Sequence, residues 1–244
     1  MKNPWSQLPI TAPRILADDK KIIDQFNKHY CGDLDFSIQT QLFPEPFIGD
    51  PNSPLYVLGL NPGYSPLADD KWHSDAEFTE AITNNINHRP TSFPFYFLNP
   101  KFENAPGSAW WLMRSRWLRG EVGNEFLAQS MFCVELFPYH SHKYKSIPKS
   151  ISSSSLVPSS NYSVFLVQQA ILANKTIIAM RALKQWFKLI PQLKTYGKLH
   201  RLNSPQNVSL SPNNIAGYSA LVDELITAKE QRIQTEILTT SENT

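Results

Sequence analysis

The sequence predicts a single three-layer α/β/α domain with a short, mostly parallel central sheet. Three segments, 55–58, 131–137 and 175–180, are mainly apolar on both faces, as expected of strands buried in a parallel sheet. Each segment ends in a polar or proline-containing turn and is followed by a helical pattern, and no internal repeat divides the chain. We therefore expect one domain over residues 1–235 and a flexible tail over residues 236–244.

The helices are predicted where apolar residues recur at helical spacing between polar ones. In chain order these segments are residues 17–30, 75–83, 122–131, 160–173, 181–190 and 215–233. Ser74 is the expected cap of the second helix, and Pro191 ends the fifth. Residues 1–16 carry prolines at positions 4, 9 and 13 and are expected to run extended along the domain surface.

The composition is typical of a globular domain without a strong electric field. Hydrophobic residues make up 41% of the 244 positions, and the net charge is only +2. A phosphate contact would depend on a local basic patch, so the charge neither supports nor excludes DNA binding. Cys31 and Cys133 lack metal-type spacing and are expected to be reduced thiols. Without a membrane-length apolar segment or a signal-peptide core, we expect a cytoplasmic monomer that does not contact membranes.

An asparagine follows the first buried strand at a position where α/β proteins commonly bind ligands. The strand runs into Gly59-Leu-Asn-Pro-Gly63, so Asn61 lies just beyond its carboxyl end. In open α/β sheets the loops at that edge surround a crevice. The two glycines allow backbone to approach a ligand closely, and Pro62 stiffens the turn between them. The pattern predicts a rigid loop that presents Asn61, although a purely structural turn of this composition is also common.

A dense aromatic stretch, Ser92-Phe-Pro-Phe-Tyr-Phe-Leu-Asn-Pro100, lies downstream, with Trp110 and Trp111 soon after it. Runs of this density usually form core. A flipped base, however, needs a flat apolar surface, and stacking contributes roughly 1–3 kcal/mol per base. Phe97 is the stacking candidate. The helix that follows carries three arginines that form either a phosphate-facing stripe or a solvated face: Arg114, Arg116 and Arg119.

Glu135 is an anomaly inside the second buried strand. A buried carboxylate is costly unless it is paired or protonated, so both an ion pair with a nearby cation and a functional role explain it. The next loop, Tyr139-His-Ser-His-Lys-Tyr144, gathers imidazoles, hydroxyls and a lysine. His140 is the candidate for contact with a phosphate or a leaving base, while His142 alternates away from it. No metal site is expected, because no carboxylate or third histidine lies nearby at ligand spacing.

These segments together resemble the uracil-DNA glycosylase superfamily, in particular its mismatch-specific and single-strand-selective branches. Gly59-Leu-Asn-Pro-Gly63 is similar to the first motif, Gly-x-Asn-Pro-Gly after a hydrophobic strand. Phe97-Leu-Asn-Pro100 and Trp110-Trp111 resemble the segment in which a Phe before Asn-Pro, followed by a Phe-Trp pair, supplies the stacking surface. The resemblance covers roughly residues 54–210, in the family's order.

The base-reading strand departs from the family pattern. Glu135-Leu-Phe-Pro138 matches its frame, but Glu135 replaces the Asn that hydrogen-bonds the edge of the flipped base. An amide both donates and accepts, as the N3–H and O4 of uracil require, whereas an ionised carboxylate only accepts. Three explanations follow: Glu135 is protonated, or the target presents donors, or the pocket does not read uracil.

The last motif of the family, His-Pro-Ser-Pro or Asn-Pro-Ser-Gly, is only partly present. Ser204-Pro-Gln-Asn207 resembles its second half, with Leu202 at the position of the His and Asn203 in place of the first Pro. Either Asn203 or His200 would have to substitute for the missing His.

The resemblance implies a uracil-DNA glycosylase-like fold and a hydrolase that flips a damaged or mismatched base out of DNA and cleaves its N-glycosidic bond. Asn61 would orient the attacking water and His140 would contact the leaving base. The residues expected to bind the base are Gly59, Leu60, Pro62, Gly63, Tyr64, Phe97 and Glu135. The residues expected to contact the nucleic-acid backbone are Ser65, Ser141, Lys143, Asn203 and Ser204. No metal or organic cofactor is implied.

Two alternatives remain beside this hypothesis. The departures at Glu135 and in the last motif also fit a catalytically silent module that binds nucleic acid or protein. Hydrolysis of a free nucleoside or nucleotide is a third function that the same residues would support.

Overall fold

The computed structural model describes residues 1–242, with side chains described through residue 235. Within this range a single sheet brings together short strands: β1 (Phe47–Gly49), β2 (Leu55–Leu58), β3 (Met131–Val134), β4 (Thr176–Ala179) and β5 (Leu199–Arg201). The strands β1 to β4 are buried along their whole length, as the apolar segments predict. The chain is therefore an α/β protein with a mixed, mostly parallel sheet.

The strand order reverses at the centre of the sheet. The order is β1-β3-β2-β4-β5, with β2, β3, β4 and β5 parallel and β1 antiparallel to β3. The chain moves from β2 to β3 on one side and then to β4 on the other. A crevice forms beyond the carboxyl ends of the strands at such a reversal. Because β1 is antiparallel, the residues that precede it lie at this same edge.

Helices lie at each of the predicted segments, and the short helix Ala68–Trp72 is additional. Their bounds are α1 (Ala17–His29), α2 (Ala68–Trp72), α3 (Ala76–Ile86), α4 (Pro106–Arg114), α5 (Arg116–Val122), α6 (Asn124–Ser130), α7 (Ser160–Leu172), α8 (Leu183–Leu189) and α9 (Tyr218–Glu242). Short 3₁₀ helices cover Pro4–Gln7, Tyr96–Leu98, Pro100–Phe102 and Pro191–Lys194. The helices pack with the sheet around a contiguous hydrophobic core, an arrangement consistent with three layers.

Several helix boundaries differ from the prediction. Asp75, not Ser74, caps α3, because its side chain accepts a hydrogen bond from the Phe78 N–H. The predicted helix 122–131 begins only at residue 124, since Gly123 adopts φ 89° and separates it from α5. The arginine stripe is divided between α4 and α5.

The final helix is longer than the sequence pattern indicates. It continues past the predicted end at residue 233 and reaches Glu242, so it includes most of the segment that we expect to be a flexible tail. The last part of that predicted tail, residues 243 and 244, lies outside the described residues. Among the described residues, no helix combines the length and apolar character needed to cross a membrane.

Candidate functional site

A cavity of about 390 Å³ lies at the carboxyl edge of the sheet, where the strand order reverses. The loops after β2, β3 and β4 contribute Asn61, Glu135 and Arg181 to its wall, and Phe97 and Trp110 line it as well. Its volume falls in the range of small-molecule sites, about 300–1,000 Å³. The distant stretches that the predicted site requires therefore meet in one hollow.

Backbone hydrogen bonds continue beyond the strand ends and hold the surrounding loops in register. The Phe137 N–H donates to the Leu60 carbonyl (2.8 Å), which ties the loop after β3 to the loop after β2. The Glu135 N–H donates to the carbonyl of Pro46 (2.9 Å). This last bond brings Glu45, the residue before Pro46, to the same edge, where it lines the cavity.

The amide of Asn61 is held in a fixed orientation. Its Nδ2 donates to the Pro62 carbonyl (2.8 Å) and to the Ser141 Oγ (3.1 Å). A carbonyl oxygen can only accept, so the atom that faces it has to be the amide nitrogen. With both N–H groups engaged, Oδ1 is the group that Asn61 offers to a ligand. The loop thus presents a hydrogen-bond acceptor rather than a donor.

Glu135 is buried, with 8% of its surface exposed, and it is incompletely satisfied. The Cys133 thiol lies 3.7 Å from Oε1, while Oε2 has no hydrogen-bond partner among the described residues. Burial raises the pKa of the carboxyl to about 7, although the Cys133 thiol, the charge of Arg181 and a backbone contact with Leu60 oppose the shift. Glu135, which has no ion pair among the described residues, is therefore close to half protonated near neutral pH.

His140 is also buried and has one unpartnered nitrogen. Its Nδ1 lies 2.6 Å from the Gly63 carbonyl, so Nδ1 carries the proton and Nε2 has a free lone pair. Desolvation lowers the pKa of the imidazole to about 4. Neutral His140 consequently accepts, and has no proton to offer a leaving base. Glu45 Oε1 lies 3.9 Å from Nε2, and burial raises the pKa of Glu45 well above its ordinary value.

The cavity wall also contains ionisable residues that the sequence-predicted site lacks: Glu45, Asp69, His73, His142, Tyr144 and Arg181. Desolvation raises the pKa of Asp69 to about 6, and Asp69 Oδ2 accepts from the Ser65 N–H. Burial lowers the pKa of His73 well below its usual value. The segment Phe43-Pro-Glu-Pro-Phe47 reads as core packing, yet a carboxylate between prolines and aromatic rings is the same kind of signal that marks Glu135.

Aromatic side chains form the apolar part of the wall. Phe97 has 5% of its surface exposed and contacts Phe78 at a ring-centroid distance of 6.1 Å. Its ring tip lies directly over Gly107, where a Cβ would collide with it. Trp110 is half buried and packs edge-on against Trp111 (4.8 Å). The glycine at the start of α4 thus makes room for the ring that we expect to stack on a base.

The other predicted base-binding residues also lie at this edge. The cavity wall includes Leu60, Pro62, Gly63 and Tyr64. Gly59 lies against the Glu135 carboxylate, which would clash with any Cβ at that position. Trp186 fixes this part of the loop, because its Nε1–H donates to the Gly59 carbonyl (3.0 Å).

Of the residues predicted to contact a nucleic-acid backbone, Ser65 lines the cavity and the other four do not. Ser141 is buried and orients Asn61. Lys143 is exposed and pairs with Asp35 at 2.5 Å. Asn203 and Ser204 are not among the described residues that line the cavity, and the same is true of His200, whose Nδ1 lies 2.9 Å from the Ala216 carbonyl. Their contact with nucleic acid stays a prediction.

One cluster in the wall has the composition of a metal site. Glu45, His73 and His140 are buried, and their potential ligand atoms lie within 4.8 Å of one another. The Nδ1 of His73, however, accepts the Phe43 N–H (3.0 Å), so its Nε2 bears the proton. In this arrangement His140 Nε2 is free to bind a cation, whereas Glu45 Oε1 already accepts a hydrogen bond from the Tyr96 hydroxyl (3.0 Å). A structural or catalytic zinc site takes at least three protein ligands, so this donor set does not fit one.

Comparisons of the chain with protein-family models, with curated proteins and with solved structures each gave no match.

Proposed function

We propose that the protein is a DNA glycosylase-like hydrolase on a uracil-DNA glycosylase-like fold, and that its cavity receives a flipped base whose N-glycosidic bond is cleaved. The observation that carries this proposal is the meeting of Asn61, Phe97 and Glu135 in one hollow of about 390 Å³. A base inside such a hollow has an aromatic ring for stacking, a polar group for its edge and an oriented acceptor beside the sugar. These are the contacts that hydrolysis of a flipped nucleotide requires.

Asn61 acts by positioning. Its Oδ1 accepts a hydrogen bond from a water molecule and directs that water toward the sugar carbon, C1′. Asparagine is a poor base, so the rate depends on orientation and on electrostatic stabilisation of the positive sugar rather than on early proton abstraction. Ser141 supports this step because it holds one of the two amide N–H groups.

Phe97 and Glu135 hold the base. Phe97 provides the stacking surface, which contributes roughly 1–3 kcal/mol per base. Glu135 binds the polar edge in a manner that depends on its protonation. The protonated carboxyl donates and accepts, as an amide does, whereas the ionised form only accepts. With a pKa of about 7, both forms are populated near neutral pH.

The surface next to the cavity offers contacts for DNA. The helices α4 and α5 lead away from the Trp110 wall and expose Met113 and Trp117. The Arg116 guanidinium lies 5.4 Å from the centre of the Trp117 ring. Exposed aromatic rings with arginines are typical of surfaces that bind single-stranded nucleic acid by stacking and charge.

The direct test is base excision from labelled oligonucleotides. Oligonucleotides that carry uracil, a thymine mismatch, hypoxanthine or an alkylated base are incubated with the protein and then cleaved at abasic sites with alkali. We expect strand breaks for at least one of these bases and a loss of about 10²–10³-fold in the rate for Asn61→Ala, as for other positioned hydrogen-bonding groups. Asn52→Ala is the matched control, because Asn52 is exposed at the opposite edge of the sheet.

A catalytically silent binding module is the second candidate. It is favoured by His140, whose only N–H is engaged by Gly63 and which therefore gives no proton to a departing base. Binding of the oligonucleotides without strand breaks, unchanged by Asn61→Ala, would support the module. Breaks with free nucleosides but not with oligonucleotides would indicate a nucleoside hydrolase.

A further inference from the structure

The cavity has an excess of acidic groups. Its wall contains three carboxyl side chains, Glu45, Asp69 and Glu135, and all three are buried. The cation that faces them, Arg181, is exposed to solvent and forms no ion pair closer than 4.0 Å with any of them. An exposed guanidinium is screened by water and neutralises buried carboxylates poorly.

One of these acids is incompletely paired. Glu135 Oε2 is buried without a hydrogen-bond partner among the described residues, and Glu135 lines the cavity. Unpaired buried polar atoms are rare and costly, and they commonly mark sites where a ligand completes the pairing. The free atom is an acceptor, so the ligand that completes it brings a donor or a positive charge.

Aromatic rings face the same space as the carboxyl groups. Phe97 and the two tryptophans Trp110 and Trp111 line the cavity together with Glu135. Rings stabilise a cation through the negative potential of their faces, and this attraction increases when water is excluded. Carboxylates combined with aromatic walls therefore favour a flat cation over a neutral heterocycle of the same size.

We infer that the preferred substrate is a nucleobase that carries a positive charge, of the kind produced by alkylation of a purine ring nitrogen. This inference rests on the proposed function and narrows its substrate class. The Glu135 carboxylate accepts a hydrogen bond from the charged base, and the base supplies the positive charge that the exposed Arg181 does not provide to the acidic wall.

The leaving-group chemistry agrees with this substrate. When water attacks C1′, a new C–O bond forms and the glycosidic C–N bond breaks, with its electron pair passing to the ring nitrogen. A cationic base thereby departs as a neutral molecule, and the water loses its proton to solvent or to a carboxylate of the wall. No proton has to be delivered to the base. That requirement matches His140, whose Nε2 carries no proton to give.

The acidic groups of the wall determine how the affinity of the cavity for a cation changes with pH. The groups that face Glu135 are Cys133 on β3, Glu45 before β1 and Arg181 after β4, with Asp69 and His140 farther along the wall. Burial raises the pKa of Asp69 to about 6 and that of Glu135 to about 7, so these groups ionise as pH rises through this range. A cation binds the ionised wall more tightly, so its affinity increases with pH.

Binding of small heterocycles tests the charge preference without turnover. The probes are 1-methylnicotinamide, a planar ring with a fixed positive charge, and uncharged nicotinamide, both titrated by calorimetry or NMR at about pH 6 and about pH 8, on either side of the expected ionisation. We expect the cation to bind about tenfold more tightly at the higher pH, and Glu135→Gln to remove about that factor, the size of one charge-assisted hydrogen bond. Glu230→Gln, an exposed residue on α9, is the matched control. Equal affinity for the two probes, or cation binding that Glu135→Gln leaves unchanged, would overturn the inference.

Excision assays then separate this inference from the proposed function. Oligonucleotides that contain 7-methylguanine are compared with oligonucleotides that contain uracil. Faster release of 7-methylguanine, lost in Asn61→Ala, supports both proposals. Selective binding of 1-methylnicotinamide without cleavage of any oligonucleotide refutes the glycosylase activity but leaves a cation-binding cavity. Faster release of uracil than of 7-methylguanine refutes the preference for a charged base even though the enzyme is active.

Discussion

The two edges of the central sheet each carry a cleft, and the clefts differ in how their polar groups are satisfied. The cleft at the amino edge is larger, about 720 Å³, and its Glu224 carboxylate has two polar partners. Thr176 Oγ1 donates to Glu224 (2.6 Å), and the Lys198 ammonium lies 3.6 Å from the same carboxylate. At the carboxyl edge, Glu135 Oε2 and His140 Nε2 are buried without partners among the described residues. Buried polar atoms without hydrogen-bond partners, rather than a larger volume, distinguish the candidate site.

Removing one negative charge at each edge should change stability in opposite directions. The pKa of Glu135 is raised from 4.5 to about 7, so the folded state holds this proton more tightly than the unfolded chain does. The stability that comes from this protonated carboxyl is fully present below about pH 4.5, and it is lost as the pH rises through about 7. Glu135→Gln should therefore match the parent protein near pH 4 and exceed its free energy of unfolding by about 3 kcal/mol near pH 8.

Urea denaturation at a series of pH values measures this difference. Glu224→Gln is the counterpart at the amino edge. It weakens a partly exposed ion pair and should lower the free energy of unfolding by about 1 kcal/mol or less near pH 8. A loss of stability in both variants would show that Glu135 is satisfied in solution, and the contrast between the edges would fail.

The cavity residues at the ends of buried strands could be predicted from the sequence, whereas those that reach the cavity from other segments could not. Asn61 and Glu135 lie next to long apolar runs, and parallel strands bring their carboxyl ends to one edge, so their convergence could be predicted. Glu45 precedes β1, a strand of only three residues, and no pattern in so short a segment indicates that it runs antiparallel. Its place in the wall depends on that direction.

His73 and Asp69 were missed for a related reason. Both belong to the short segment around α2, which begins after Leu67 with φ 66° and places these side chains by local backbone geometry. Periodicity says nothing about a five-residue helix of this kind. The burial of His140 likewise arises from the surrounding layers, and a loop of polar residues gave no sign that its imidazole would be neutral and acceptor-only.

Two glycines of the Asn61 loop should respond very differently to alanine. A Cβ on Gly59 would collide with the Glu135 carboxylate, while a Cβ on Gly63 meets nothing within 4 Å. Gly59→Ala should therefore lower the free energy of unfolding by about 1–3 kcal/mol, the usual cost of overpacking, and displace Glu135 from the cavity. Gly63→Ala should change stability by less than about 0.5 kcal/mol.

Thermal or urea denaturation measures both variants, and a second substitution identifies the colliding group. Shortening the acid with Glu135→Ala in the Gly59→Ala background should recover most of the lost stability, because the clash involves the carboxylate itself. If the double variant is as unstable as the sum of the single variants, the two residues are not in contact and the packing beneath the cavity is different.

The pair of variants with the smallest expected effect on stability consists of two serine variants, which test whether Ser141 positions Asn61 or only contributes a hydrogen bond to the fold. Ser141 and Ser53 are both buried, and each makes one side-chain hydrogen bond, Ser141 with Asn61 at the carboxyl edge and Ser53 with the Gln129 carbonyl at the amino edge. Ser141→Ala and Ser53→Ala should each lower the free energy of unfolding by about 1 kcal/mol. Only Ser141→Ala should also slow base excision, by about tenfold, since freedom of the Asn61 amide misdirects the attacking water. The distinguishing result is a rate that falls in one serine variant at matched stability. An equal rate in both would mean that Asn61 needs no support from Ser141, and the orientation of its Oδ1 would then have to come from the Pro62 carbonyl alone.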